Sequence, residues 1–204
     1  MQPPAAETGR PRCADTRPVS LRAVTIVPDA KDWTWVLDRP CPECGLDTQS
    51  FPRDAIPGMI RANAEQWHGL LTGPLELRQR PAPGTWSPAE YGCHVRDVFR
   101  LYDTRLTLML TIDGPHYPNW DQDATAVEER YAEQDPVVVA DELVAAAEAI
   151  AARFEQVDCE QWQRTGYRSD GAEFTIESFA RYFVHDPVHH LHDVTGQRAA
   201  ASDG

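Results

Sequence analysis

Four amphipathic runs, each opened by a helix-start signal and separated by proline- and glycine-rich breaks, constrain this chain more than any other feature. Ile56, Ile60, Ala64, Trp67 and Leu71 recur at spacings of three and four, which predicts a first helix from Arg53 or Asp54 to about Leu71, with Pro57 in its first turn. Ser87-Pro88-Ala89-Glu90 reads as a capping box with proline at the first helical position, and Trp86 can staple the entry. The helix it opens carries Val95, Val98, Leu101, Leu106, Met109 and Ile112 and stops at Asp113-Gly114-Pro115. A third begins at Asp135-Pro136 and carries Val139, Leu143, Ala146, Ile150, Phe154 and Val157. A fourth begins near Thr175 or Ile176, turns Phe179 and Phe183 inward, and ends at Gly196. Pro187 inside it predicts a kink, because proline lacks an amide and crowds the carbonyl four residues back. No stretch alternates convincingly. The expected fold class is all-α, a four-helix bundle with an irregular N-terminal extension.

The rest of the chain divides around that bundle. Residues 1–30 are rich in Pro, Ala and Arg without periodicity, and are expected to be a disordered tail. Residues 31–50, with an aromatic start and a Cys-x-x-Cys pair, read as an ordered extension lying on the main domain. The bundle should occupy 51–197, and 198–204 should be a second disordered tail. Within the bundle, AVEERYAE reads as a short amphipathic turn and residues 158–174 as a loop.

Bulk properties remove some function classes. A net charge of −13 over 204 residues disfavours nucleic acid and anionic membranes as partners, since both would repel the surface. No apolar run approaches the roughly 20 residues that span a bilayer, and the N-terminus has no hydrophobic signal core. A cytoplasmic location and a small-molecule substrate are expected, with a homodimer left open. Five cysteines, odd in number and irregularly spaced, argue against a disulfide scaffold and for thiols or ligands.

The run VHDPVHHLHDV on the fourth helix carries the chemistry. At about 100° per residue, His185 and His189 sit ~40° apart and His192 within ~20° of His185, so all three share a face. Imidazole is the commonest nitrogen ligand for Zn, Ni and Fe, and three buried imidazoles each need a partner. His190 points ~100° away from His189 and reads as peripheral. His94 lies on the core side of the second helix, where a lone histidine is more often structural.

Taken together, these motifs resemble the DinB/YfiT-like family over roughly residues 50–196. The resemblance rests on Trp86-Ser87-Pro88-Ala89-Glu90 followed by His94, on the pair His185 and His189, and on the loop Asn119-Trp120-Asp121-Gln122-Asp123. It implies a four-helix bundle holding a divalent metal, Zn or Ni, through one histidine of the second helix and two of the last. Carried over by motif, the ligands are His94, His185 and His189, with His192, Asp97 and Trp120 lining the site or backing the ligands; Asp193 is a further candidate for backing an imidazole. The family implies a metal-dependent hydrolase or thiol S-transferase, with bound water or a low-molecular-weight thiol such as mycothiol as nucleophile. Three protein ligands leave a position open, which is the arrangement of a catalytic metal rather than a structural one. The alternative from another class is a non-catalytic metal-binding bundle serving assembly or stress sensing.

Cys41 and Cys44, in Arg39-Pro40-Cys41-Pro42-Glu43-Cys44-Gly45, look like one knuckle of a zinc ribbon, but no second cysteine pair completes it. The pair is open to several readings: a separate metal site, a redox dithiol, or an inert turn or a contact near the bundle site. The redox reading requires the two thiols exposed and acidified. Cys93 neighbours His94 in sequence, yet adjacent helical residues diverge by ~100°, so it is not read as a nucleophile.

Overall fold

The computed structural model describes residues 32–199, so the tail assigned to 1–30, Cys13 and residues 200–204 lie outside the described residues. The fold is a four-helix bundle. Its long helices are α1 (Ile56–Leu71), α2 (Pro88–Thr111), α4 (Pro136–Glu155) and α5 (Ile176–Thr195), with a short α3 (Gln122–Glu128) in the connection between α2 and α4. The start signals form as read. The Ser87 side chain accepts from the Glu90 amide, and the Glu90 carboxylate accepts from the Ser87 amide at 2.8 Å. Trp86 packs edge-on against Tyr91, the staple partner four positions into the helix. Asp135 caps α4 and Thr175 caps α5. Gly196 ends α5 in the left-handed region at φ 71°, where a side chain would be strained.

α1 and α2 both pack chiefly on α4, and α5 fills the remaining side against α2 and α1. Going round the bundle the order is α1, α4, α2, α5, so α1 sits diagonally from α2 and α4 from α5, while α2 and α4 are neighbours. Trp67, Phe99, Phe154, Phe179 and Phe183 are the largest apolar groups at the centre, all fully buried. Each contributes about 1.5–3 kcal/mol relative to exposure. α5 continues through Pro187 without a break. The Pro187 carbonyl accepts from Asn63 Nδ2 at 3.1 Å and Trp67 Nε1 at 3.2 Å, which ties the proline turn to α1.

Two features depart from the sequence reading. A small sheet joins β1 (His116–Tyr117), β2 (Thr165–Arg168) and β3 (Glu173–Thr175), with β1 parallel to β2 and β2 antiparallel to β3. It falls partly within residues read as a loop. Strands of two to four residues are too short for periodicity to register, and only Asp170-Gly171 marked the turn. The sheet ties the connection after α2 to the one before α5. Arg198 and Ala199, assigned to a terminal tail, are docked instead. Arg198 Nη1 donates to the carbonyls of Pro42 and Glu43, both at 2.8 Å, and the Ala199 amide donates to the Cys44 carbonyl at 2.7 Å. Among the described residues no helix is long and apolar enough to cross a membrane.

The extension is ordered from Asp32 onward and lies along α5. A 3-10 turn (Thr34–Leu37) leads into the cysteine pair, and Val36, Cys41, Cys44, Leu46, Thr48 and Phe51 are buried. Arg181 of α5 holds it by donating to the carbonyls of Thr48 and Phe51.

Candidate metal centre

α5 carries two interleaved pairs four residues apart: His185 with His189, and Asp186 with His190. Members of a pair share a face, but the two pairs point about 100° apart. The bundle uses this divergence. The Asp186 and His190 face meets α2, and the His185 and His189 face meets the N-terminal extension.

On the first face, ligand-type atoms of His94, Asp186 and His190 lie within 4.8 Å of one another. His94 is wholly buried on α2, clasped between Trp86 (ring centroids 5.2 Å) and Trp120, whose ring stacks on it at 5.2 Å and 5°. His190 meets its edge at 4.8 Å. His94 Nε2 stands 3.3 Å from Asp186 Oδ1, yet both atoms are buried without a hydrogen bond of acceptable geometry. That spacing is about what two ligands adopt around a tetrahedral ion with bonds near 2.0 Å. Orphaned buried polar atoms are costly, and a shared cation is one way to satisfy them. Burial holds the His94 imidazole below its ordinary pKa despite the Asp186 carboxylate, so it is neutral, the ligand form. His190 turns its Nδ1 to Asp193 Oδ2 at 2.9 Å, leaving Nε2 on the side of Asp186. A carboxylate behind the outer nitrogen fixes the ring and raises its basicity as a ligand. The residues present fit a divalent cation.

Asp186 and His190 border a cavity of about 1300 Å³, which His185 and His189 line as well. Trp120 and Asp121 line it on one side, Trp33 and Glu43 of the extension on another, and Arg105 and Arg168 lie in its wall. Arg168 is paired with Asp170 and bonded to Tyr182. Arg105 is buried against the rings of Tyr102 and Tyr117 and donates to the Pro118 carbonyl at 2.7 Å, with no ion pair among the described residues.

The structure divides the ligand set expected from sequence. His94 does not join His185 and His189; those two group with Cys41 and Cys44. The reason is rotational. α5 is seated so that residues 186 and 190, one position along, face α2. His190, read as peripheral, faces His94, and Asp186 carried no expectation at all. The i,i+4 spacing of Asp186 and His190 was visible, but spacing alone does not say which of two interleaved pairs turns inward. Trp120 does border the cavity. Asp97 does not back an imidazole: it is bonded by Arg96, Arg100 and the Tyr131 hydroxyl. His192 points its Nδ1 at the Gln197 carbonyl, 3.0 Å away. The Cys93 thiol faces Tyr131 and Gln134, and burial pushes it up to about 12. Cys41 and Cys44 are buried, so the pair lacks the exposure of a redox dithiol, and burial raises the Cys44 thiol.

Comparison with known proteins follows the same lines. The sequence profile of the DinB superfamily matches residues 60–194. Among solved structures the chain is similar to YfiT from Bacillus subtilis, at a TM-score of 0.65 and 18% sequence identity, over 71% of this chain and 84% of that one. YfiT is described as a probable metal-dependent hydrolase with an unusual four-helix bundle topology. At that identity the likeness is one of fold. No curated protein sequence matches the chain significantly.

Proposed function

The chain belongs to the DinB superfamily, and from that premise we propose that it is a metal-dependent enzyme whose divalent cation is held by His94, Asp186 and His190. The observation that carries the reading is the buried, hydrogen-bond-orphaned approach of His94 Nε2 to Asp186 Oδ1 at the wall of a large cavity. Three protein ligands beside open space leave room for an incoming group. A cation bound there supplies Lewis-acid chemistry, easing deprotonation of a coordinated water or thiol.

The chain's own residues do the rest. Trp86 and Trp120 clamp His94 and shield it from bulk water. Asp193 orients His190 through its Nδ1 proton. Arg105 places positive charge in the cavity of an otherwise acidic protein, which suits a substrate with a carboxylate or polarised carbonyl. Hydrolysis is the first reading, since YfiT is described as a probable metal-dependent hydrolase. Transfer of a low-molecular-weight thiol such as mycothiol, with zinc or nickel in the site, is the second, and the cavity volume favours keeping it because a thiol co-substrate needs space beside the electrophile.

The test is metal titration with Zn²⁺ and Ni²⁺ of the wild type and of a His94→Ala, His190→Ala variant, followed by assays of ester and amide hydrolysis and of thiol conjugation to an alkylating electrophile. The wild type should bind one more ion per chain than the variant and turn over one substrate class. Equal metal content in both proteins would remove the site. Metal loss in the variant with no turnover of any class by the loaded wild type would favour the non-catalytic bundle.

A further inference from the structure

The other face of α5 is not used by the reading above. Cys41, Cys44, His185 and His189 place one ligand atom each within 4.8 Å of one another, and all four residues are buried. Cys41 Sγ lies 3.7 Å from His189 Nδ1. Around a tetrahedral zinc with bonds of about 2.3 Å to sulfur and 2.0 Å to nitrogen, a sulfur and a nitrogen stand about 3.5 Å apart. His185 Nε2 is buried without a hydrogen-bond partner. We propose that these four side chains form a second, structural zinc site of the Cys2His2 type, which staples the N-terminal extension to α5.

The backbone around the pair supports ligation. The Cys41 amide donates to the Leu46 carbonyl and the Gly45 amide to the Cys41 carbonyl, both at 2.9 Å, which folds the segment into a tight knuckle. Gly45 sits at φ 83°, a conformation that favours glycine. The second half of the site, absent as a cysteine pair in sequence, comes from two histidines more than 140 residues downstream. Their outer environment is that of metal ligands too. His189 Nδ1 faces the thiols, while its Nε2 lies 3.4 Å from Glu43 Oε2 and 3.6 Å from Asp193 Oδ1. Carboxylates in that position orient a ligating imidazole. Two buried thiols have poor hydrogen-bonding alternatives, whereas a cation makes thiolates the favoured form. Four protein ligands close the shell, so this ion has no position for substrate. Its role is to hold Trp33, which packs on both His185 (5.4 Å) and His189 (4.9 Å), and Glu43 as a wall of the cavity.

The experiment uses the 204-residue protein purified under reducing conditions, with zinc counted per chain and Co²⁺ substituted as a spectroscopic probe. The His94→Ala, His190→Ala variant should keep one tightly held zinc, and its cobalt form should show thiolate-to-cobalt charge transfer and a tetrahedral spectrum. A Cys41→Ser, Cys44→Ser variant should lose that zinc equivalent and the charge-transfer band while still binding an ion at His94. The wild type gives a second readout that does not need a folded variant. Cys41 and Cys44 should resist alkylation until a chelator is added, whereas exposed Cys159 reacts at once. A cobalt protein without thiolate charge transfer, alkylation of Cys41 and Cys44 indifferent to chelator, or recovery of the pair as a disulfide overturns the proposal. The two centres are read separately, so failure of one leaves the other standing.

Discussion

α5 presents two candidate donor sets one residue apart, and they differ in the type and number of their donor atoms. The set facing the extension has two sulfurs and two nitrogens, four candidate donors on buried residues. The set facing α2 has one carboxylate and two imidazoles, three candidate donors, and Asp186 and His190 border the cavity, as His185 and His189 of the other set also do. Soft thiolates in a closed tetrahedron retain zinc as a fastener, while nitrogen and oxygen donors with a vacant position admit several first-row metals and a reactant. One helix can therefore carry both roles, because a shift of one residue rotates a side chain by about 100°. Asp193 stands behind both sets, with Oδ2 bonded to His190 Nδ1 and Oδ1 near His189 Nε2.

The contrast breaks most sharply if the open set is removed. Asp186→Ala with His190→Ala should cost that ion entirely and lower any metal-dependent turnover by more than the 10–100-fold typical of losing an outer hydrogen-bond partner. Metal counting and rate assays on the same sample check it, and retention of the cobalt thiolate band would show that the closed set is untouched. Asp193→Asn tests the shared support. It should weaken metal affinity about 10–100-fold, at the open set more than the closed one, because the His190 bond is direct and Glu43 also backs His189. Competition with a chromophoric chelator reads the two affinities, and an unchanged open-set affinity would deny Asp193 a role.

Smaller effects separate folding from ligation. Burial alone would raise the Glu90 carboxyl, but its bonds from Arg80 and from the Ser87 amide outweigh that and hold it below its ordinary value of 4.5. A depressed folded value means the carboxylate's contribution is present above the ordinary value and is lost as pH falls through the lower folded one. Glu90→Gln should thus destabilise the neutral-pH protein by roughly 1.5–3 kcal/mol, with the gap to wild type closing in acid. Thermal melts across pH follow it, and both ions should remain bound at neutral pH. His192→Ala should change stability by no more than about 0.5 kcal/mol and leave metal content as it was, since its ring bonds the Gln197 carbonyl and only brushes the His189 ring at 6.4 Å. A lost ion there would mean that His192 is a ligand after all.

Most of the bundle was legible because its signals are local. Ser87 and Glu90, Asp135-Pro136, Thr175 and Gly196 mark ends through backbone chemistry that acts within one turn, and the apolar spacing of α1, α2 and α4 reports most of the buried face, with Ile112 exposed just past α2 and Val157 beyond the end of α4. The β2–β3 hairpin was not legible, since strands of four and three residues are too short for a period to register. The candidate site was half legible. His94, the histidine run and the cysteine pair were all singled out, but their partners were exchanged. In the structure His185 and His189 lie beside Cys41 and Cys44, and His94 lies beside Asp186 and His190.

The amino-acid order by itself determined where the helices begin and end, and it drew attention to His94, the histidine run of α5 and the cysteine pair. Those follow from forces between residues a few positions apart. Only the tertiary structure decided which face of α5 meets α2 and which meets the extension. That choice depends on how Phe179, Phe183 and the Pro187 carbonyl seat the helix against Phe99, Asn63 and Trp67, contacts between residues far apart in the chain. A rotation of one residue leaves every local preference satisfied, so packing alone selects between the two arrangements.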